Sequence, residues 1–288
     1  MEYVTLNTGV TMPLEGFGAM SMNPEENSEE MVYNAIKVGY RLIDTAASYM
    51  NENAVGNAIQ RAISEGIVTR EDLFVVSKLW VQDMKSYDAA ATAIDVSLEK
   101  LGLDYLDLYL EHQAMGDYFA AWRAMEDAYK AGKLKAIGVA NFFPNILANF
   151  CETVEVIPAV NQIELHPFFV QNEALANMKN YGVVPMAWGP LAEGKHGIFT
   201  DPELTAIGAK YNKTAAQVVL RWNVQRGVVI IPKSARVERM EQNLNIWDFI
   251  LSDEEMTAIA KKDLGHSEII NHFDPEIVKM ILGMNIHE

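Results

Sequence analysis

Leu73-Phe74-Val75-Val76-Ser77-Lys78 is an almost unbroken apolar run that ends in a lysine. An apolar run of this length, rich in β-branched residues, reads as a strand buried on both faces, the habit of strands in a parallel sheet. The same pattern recurs at residues 40–44, 105–112, 134–141, 158–164, 183–188 and 227–232. A shorter run at residues 14–18 predicts a first strand of the same kind. Ahead of it, residues 3–6 and 10–12 flank Asn7-Thr8-Gly9, which predicts a small hairpin.

Helical spacing fills the intervals, at residues 28–37, 54–64, 89–101 and 118–131. Thr214-Ala215-Ala216-Gln217 is a capping box for a helix ending near Gly227. Asp201-Pro202 is an N-cap followed by proline at the first helical position, and Ser252-Asp253-Glu254-Glu255 opens another helix. Strand and helix alternate about eight times without a linker or low-complexity segment. The expectation is a single (β/α)8 TIM-barrel domain over residues 1–288, with an N-terminal β-hairpin. An open doubly wound sheet is the alternative.

Composition narrows the function classes. Half of the 288 residues are apolar, yet no stretch of about 20 apolar residues offers a membrane span. The opening Met1-Glu2-Tyr3-Val4 carries no signal-peptide pattern. Cys151 is the only cysteine, which excludes an internal disulfide and a multi-cysteine metal site and fits a reducing cytoplasm. A net charge of −16 disfavours nucleic acid and anionic membranes as partners. A phosphate-bearing ligand then needs a local basic cluster.

Polar residues fall at or near the C-terminal ends of the strand-like runs. They are Asp44, Lys78, His112, Asn141, Gln162 and Lys233, and Trp188 ends another run. Their spacing is about one strand–helix unit of roughly 30 residues, so each belongs to a different unit. A barrel gathers such ends on one face, where active sites of this fold lie. Singly, Asp44 reads as a turn cap, Lys78 as a strand end reaching solvent and His112 as a core histidine. Together they read as a site, because charges ending buried strands are expected to be paired or functional.

Tyr49 lies five residues beyond Asp44, in the loop above the barrel mouth. A tyrosine, with a pKa of about 10, is a weak acid near neutral pH, and a neighbouring lysine cation stabilises its phenolate. Asp44 would keep Lys78 charged and aimed, and His112 would hydrogen-bond a carbonyl oxygen. This set suits protonation of an oxygen as hydride reaches the adjoining carbon.

At these residues the chain resembles the aldo-keto reductase family over nearly its whole length. The resemblance is carried by Gly39-Tyr40-Arg41-Leu42-Ile43-Asp44-Thr45-Ala46-Ala47-Ser48-Tyr49, Ser77-Lys78-Leu79-Trp80 and Asp107-Leu108-Tyr109-Leu110-Glu111-His112. It continues through Ile137-Gly138-Val139-Ala140-Asn141-Phe142, Asn161-Gln162-Ile163-Glu164-Leu165-His166-Pro167 and Ile231-Pro232-Lys233-Ser234. It implies Tyr49 as general acid, with Asp44, Lys78 and His112 completing the catalytic set. It implies NADPH as cofactor: Asn141 and Gln162 on the carboxamide, Trp188 against the nicotinamide, and Gly18 and Leu191 along the dinucleotide. Lys233, Ser234 and Arg239 would hold the 2′-phosphate, with Gln242 and Asn243 near the adenine. Lys233, Arg236 and Arg239 supply the local basic cluster.

Departures from the family pattern are informative. Ala140 stands where serine is common and Gln242 where glutamate is common. Met20 and Gln113 stand where many members have tryptophan, leaving Trp80 as the large aromatic wall of the substrate mouth. The resemblance implies a small-molecule carbonyl substrate and a monomer or weak dimer. A non-enzymatic NADPH-binding sensor barrel is the alternative function. A hydrolase using Asp44 and Glu164 is a third, with nothing in the sequence pairing the two. No G-x-G-x-x-G is present, the histidines lack metal-ligand spacing, and Gly189–Lys195 fits a P-loop only up to its lysine.

Overall fold

The computed structural model describes residues 2–21 and 27–287. Strands β1 (Tyr3–Thr5) and β2 (Thr11–Pro13) pair antiparallel as the expected hairpin. Gly9 turns the chain at φ 82°, a conformation that a side chain disfavours. The Asn7 amide donates to the carbonyls of Ile157 and Pro158, at 3.2 and 3.1 Å, just ahead of a barrel strand. The hairpin therefore sits at the N-terminal end of the barrel strands, away from the polar strand ends.

Eight parallel strands follow: β3 (Phe17–Gly18), β4 (Leu42–Asp44), β5 (Phe74–Leu79), β6 (Leu108–Glu111), β7 (Ile137–Ala140), β8 (Val160–Glu164), β9 (Val184–Trp188) and β10 (Val229–Ile230). Each pairs with its neighbour in chain order. The two outer strands also meet. Gly16 N–H donates to Ile230 O at 2.8 Å, Ile230 N–H to Leu14 O at 2.9 Å, and Gly18 N–H to Pro232 O at 3.2 Å. These bonds join the sheet edges and decide for the closed barrel over the open sheet. The first strand is reduced to two residues, but the whole 14–18 segment performs the closure. A Cβ on Gly18 would lie 2.8 Å from Ile231 O, so only glycine admits this approach.

Helices α1 (Ser28–Val38), α2 (Glu52–Ser64), α3 (Tyr87–Leu101), α4 (Tyr118–Lys130), α5 (Pro144–Cys151) and α6 (Asn172–Tyr181) follow β3 to β8 in turn. Between β9 and β10 lie α7 (Pro202–Tyr211) and α8 (Ala215–Gln225), and α9 (Val237–Leu244), α10 (Asp253–Ala260) and α11 (Pro275–Leu282) come after β10. Thr214 and Gln217 form the predicted capping box, Asp201 caps α7 ahead of Pro202, and Ser252 caps α10. No helix among the described residues is long and apolar enough to cross a membrane.

The barrel seam holds a buried carboxyl. Glu15 has no exposed surface; Trp247 Nε1 donates to one of its oxygens at 3.0 Å, and the other has no partner among the described residues. Burial pushes its pKa up to about 8, against the pull of the Trp247 hydrogen bond. The unfolded chain ionises this group above its ordinary value of 4.5, whereas the folded chain keeps the proton until about pH 8. Stability therefore falls as pH rises between those values. Glu15→Gln keeps an acceptor for Trp247 and removes the ionisation that favours unfolding. It is expected to stabilise the fold by about 3 kcal/mol at pH 7, with the gain vanishing near pH 4. Urea unfolding at the two pH values measures this, and an equal effect at both would refute it.

Candidate active site

The strand ends converge as the sequence predicts. Asp44 closes β4, and the chain then makes a short 3-10 turn, Ala47–Tyr49, ended by Met50 in the left-handed region at φ 53°. This turn carries Tyr49 to the mouth above β5. Lys78, inside β5, has no exposed surface. Its Nζ donates to Asp44 Oδ1 at 2.6 Å, to the Thr45 carbonyl at 2.8 Å and to Tyr49 Oη at 3.2 Å. One ammonium thus spends its three protons on a carboxylate, a carbonyl and a phenol.

His112 directly follows β6. Its ring meets Tyr49 edge-on at 5.7 Å between centroids and Trp80 edge-on at 5.2 Å. Its Nδ1 lies 3.2 Å from Ser48 Oγ. Burial holds its pKa well below the ordinary value, with the Lys78 cation acting in the same direction, so the ring is neutral.

The two partners of Lys78 are also displaced from ordinary values. Burial opposes the charge on Lys78, but Asp44 and Tyr49 outweigh it and the net pKa is raised. Asp44 is raised by burial, against Lys78 and the Gln162 amide. Tyr49 is raised by burial too, while Lys78 pulls it down and Asp44 pushes it up. The lysine effect expected from sequence is present, but burial exceeds it, so the phenol stays protonated at neutral pH.

Beside this cluster lies a ring of amides. Gln162 Nε2 donates to Asp44 Oδ2 at 2.9 Å and to Met186 Sδ at 3.1 Å. Asn141, at φ 61° just past β7, donates to the His112 carbonyl at 3.0 Å and accepts from Trp188 Nε1 at 2.9 Å. Farther round the mouth, Lys233, Arg236 and Arg239 are exposed between β10 and the first turn of α9. Ser234 is buried, and its Oγ accepts from Arg236 N–H at 3.1 Å, shaping that turn. Gln242 is exposed and Asn243 buried on α9.

Nothing in the sequence marked Ser48, the Thr45 carbonyl or Asn51. Asn51 accepts from Thr45 Oγ1 at 2.6 Å and donates to Ala19 O at 2.8 Å, bracing the turn that bears Tyr49. A backbone carbonyl leaves no trace in residue type, and a serine or asparagine in a loop is too common to single out. Glu111, beside His112, is fully buried with no partner for either oxygen among the described residues. Burial, aided by Asp117, raises its pKa well above the carboxylate range, so it is neutral. Glu164 is occupied by His166 at 3.0 Å and by the Ser267 hydroxyl, and Asp44 by Lys78 and Gln162, so the two do not form a hydrolytic pair.

The model of the Aldo/keto reductase family matches residues 15–264. The chain belongs to this family. It is 45% identical to the glyoxal reductase of Bacillus subtilis, over 90% of this chain and 91% of that one. It is 40% identical to the methylglyoxal reductase DkgA of Escherichia coli, over 91% of this chain and 94% of that one. Its fold matches the crystal structure of a Bombyx mori aldo-keto reductase in complex with NADP, with a TM-score of 0.88 and 37% identity over 92% of this chain and 94% of that one. As an aldo/keto reductase, the protein is an oxidoreductase.

Met20 is exposed, and Gln113 is buried with its carbonyl oxygen lacking a partner among the described residues. Trp80 is nearly buried, and its indole N–H donates to the Met284 carbonyl at 3.0 Å. The segment after α11 is strapped to the turn following Trp80: Ile286 N–H donates to Gln82 Oε1 at 2.8 Å, and His287 Nε2 lies 2.8 Å from Asp83 Oδ2. Residues 189–197, with half-buried Leu191 near their start, are no P-loop. They turn repeatedly through positive φ, at Gly189, Ala192, Glu193, Gly194, His196 and Gly197, and the next helix begins only at Pro202.

Proposed function

We propose that this aldo/keto reductase reduces aldehydes or ketones to alcohols with NADPH, and that Tyr49 donates the proton. The contact of buried Lys78 Nζ with both Asp44 and Tyr49 Oη carries this reading. A lysine is retained in such a place when it is paired, and here its second partner is an acid at the mouth.

The residues present fit the cofactor. The contacts of Asn141 use one N–H and one lone pair, leaving a second of each for a carboxamide, and Gln162 keeps its carbonyl oxygen. Lys233, Arg236 and Arg239 place exposed cations together on a chain of net charge −16, which suits the 2′-phosphate. Trp188 is held by Asn141 and would lie along the nicotinamide, with Gly18 and Leu191 along the dinucleotide and Gln242 and Asn243 at the adenine.

When bound, the reduced nicotinamide supplies a hydride to the carbonyl carbon. His112, neutral, orients the carbonyl oxygen by a hydrogen bond. Tyr49 gives its proton to that oxygen as negative charge develops, and Lys78 steadies the phenolate left behind. Asp44 and Thr45 fix the lysine. Met20, Trp80 and Gln113 line the substrate mouth. The names of the two reductase relatives make small dicarbonyls such as glyoxal and methylglyoxal the first substrates to try.

A fluorescence titration with NADPH, followed by NADPH consumption over a panel of carbonyls, tests the reading. Absence of nicotinamide binding would overturn it, and binding without turnover would favour a sensor. Arg239→Ala is expected to weaken NADPH binding about tenfold, from loss of one charge-assisted hydrogen bond, while leaving NADH binding unchanged. Equal weakening of both cofactors would show that Arg239 does not read the 2′-phosphate.

A further inference from the structure

We propose that Ser48 is a positioning residue that sets the tautomer of His112, donating its hydroxyl proton to Nδ1 and so keeping the ring proton on Nε2. The inference rests on the role of His112 in carbonyl reduction given above, and deepens it.

A neutral imidazole carries one ring proton, and only the protonated nitrogen donates. A carbonyl oxygen only accepts. His112 therefore orients a carbonyl in one of its two neutral forms and fails in the other. Burial and Lys78 keep the ring neutral, so the choice of tautomer is not bypassed by double protonation. Ser48 Oγ lies 3.2 Å from Nδ1 and is the side-chain partner that this nitrogen has. With Nδ1 engaged by Ser48, Nε2 is the nitrogen left for a substrate. A serine hydroxyl rotates and serves either role, so the contact alone permits both forms. As a donor, Ser48 leaves the ring proton on Nε2, which is the form that a carbonyl acceptor at Nε2 requires.

The backbone makes this arrangement rigid. Ser48 and Tyr49 are consecutive in one 3-10 turn, closed by Met50 in the left-handed region. The same turn thus delivers the proton donor and the hydroxyl that orders its histidine neighbour. The ring is also packed edge-on against Tyr49 and Trp80, and Asn141 holds the His112 carbonyl. The ring has little freedom to turn and exchange its nitrogens.

Nitrogen-15 NMR of the histidine side chains reads the tautomer directly, with the His112 signals identified by their loss in His112→Gln. The full-length protein is expected to show His112 protonated on Nε2. Ser48→Ala is expected to shift the signals toward the Nδ1-protonated form and to lower kcat/KM for methylglyoxal about fivefold, with NADPH affinity unchanged. Ser48→Thr, which keeps the hydroxyl, is expected to restore both. An Nδ1-protonated ring in the parent protein, or a tautomer unaltered in Ser48→Ala, would overturn the proposal. The tautomer measurement needs no turnover, so failure of the reductase reading, seen as absent NADPH binding or absent turnover in the parent protein, is distinguishable from failure here.

Discussion

Tyr49→Phe is expected to lower kcat for carbonyl reduction by about 10²–10⁴-fold, the usual worth of a general acid, with NADPH affinity unchanged. The substitution removes one oxygen and little else. The ring keeps its edge-on contact with His112, and Lys78 still lies over it, 4.8 Å from the centroid. Lys78 also keeps Asp44 and the Thr45 carbonyl, so the buried charge is not stranded. The loss therefore reports the proton and not a collapsed site. Because burial raises the Tyr49 pKa, the acid is protonated across neutral pH, and reduction by the parent protein is expected to decline only toward alkaline pH. Steady-state rates and a cofactor titration on the same variant decide the matter. Near-parental turnover would remove Tyr49 from the chemistry.

Lys78→Met is expected to abolish reduction and to destabilise the fold by about 3–5 kcal/mol at pH 7, the cost of leaving a buried charge without its partner. Asp44 is 1% exposed and would retain only the Gln162 amide. Burial already raises its pKa, and Lys78 is the chief influence holding it down, so the variant carboxyl moves higher. In the unfolded chain the carboxyl ionises above its ordinary value of 3.8. The penalty is thus present above that pH and fades as pH falls below it, where both states are protonated. Lys78 itself, raised in the fold, contributes its stabilisation throughout the neutral range and loses it only in strong alkali. Urea unfolding at pH 7 and pH 4 is expected to show a gap that narrows on acidification. A constant gap would mean that lost packing, not the stranded carboxylate, sets the cost.

The barrel was legible because most strands are buried on both faces and so leave largely apolar runs, as at Phe74–Leu79, buried throughout and apolar but for Ser77 and Lys78. Runs overestimated strand length, since apolar residues beyond the ladder also face the core: 105–112 shrinks to Leu108–Glu111. Helices α5, α6, α9 and α11 are absent from the sequence reading, because eight to ten residues hold only two to three turns, too few to show a clear period. Asp44, Lys78 and His112 stood out as polar ends of apolar strands, and the structure brings them together with Tyr49. The bracing contacts did not stand out. The resemblance points Gln162 toward a cofactor, yet its amide also reaches Asp44, 118 positions away, and no local pattern encodes such a pairing. The net rise in the Tyr49 pKa was hidden for a related reason: sequence shows the nearby lysine but not the depth of burial.

The strap between Trp80 and Met284 joins positions 204 residues apart, and it couples two separately encoded parts of the chain. The indole belongs to a barrel strand's end, whereas its hydrogen-bond acceptor belongs to the segment beyond α11. Among the described residues that segment contributes no strand to the barrel, and the side-chain hydrogen bonds of Lys78 and Asp44 run to one another, Thr45, Tyr49 and Gln162. The Trp80 indole and Tyr49 are consequently separable under mutation. A foreign segment grafted after α11 would reset how Trp80 stands while the hydrogen bonds around Lys78 stayed in place, so that one part of the chain can change without disturbing the other.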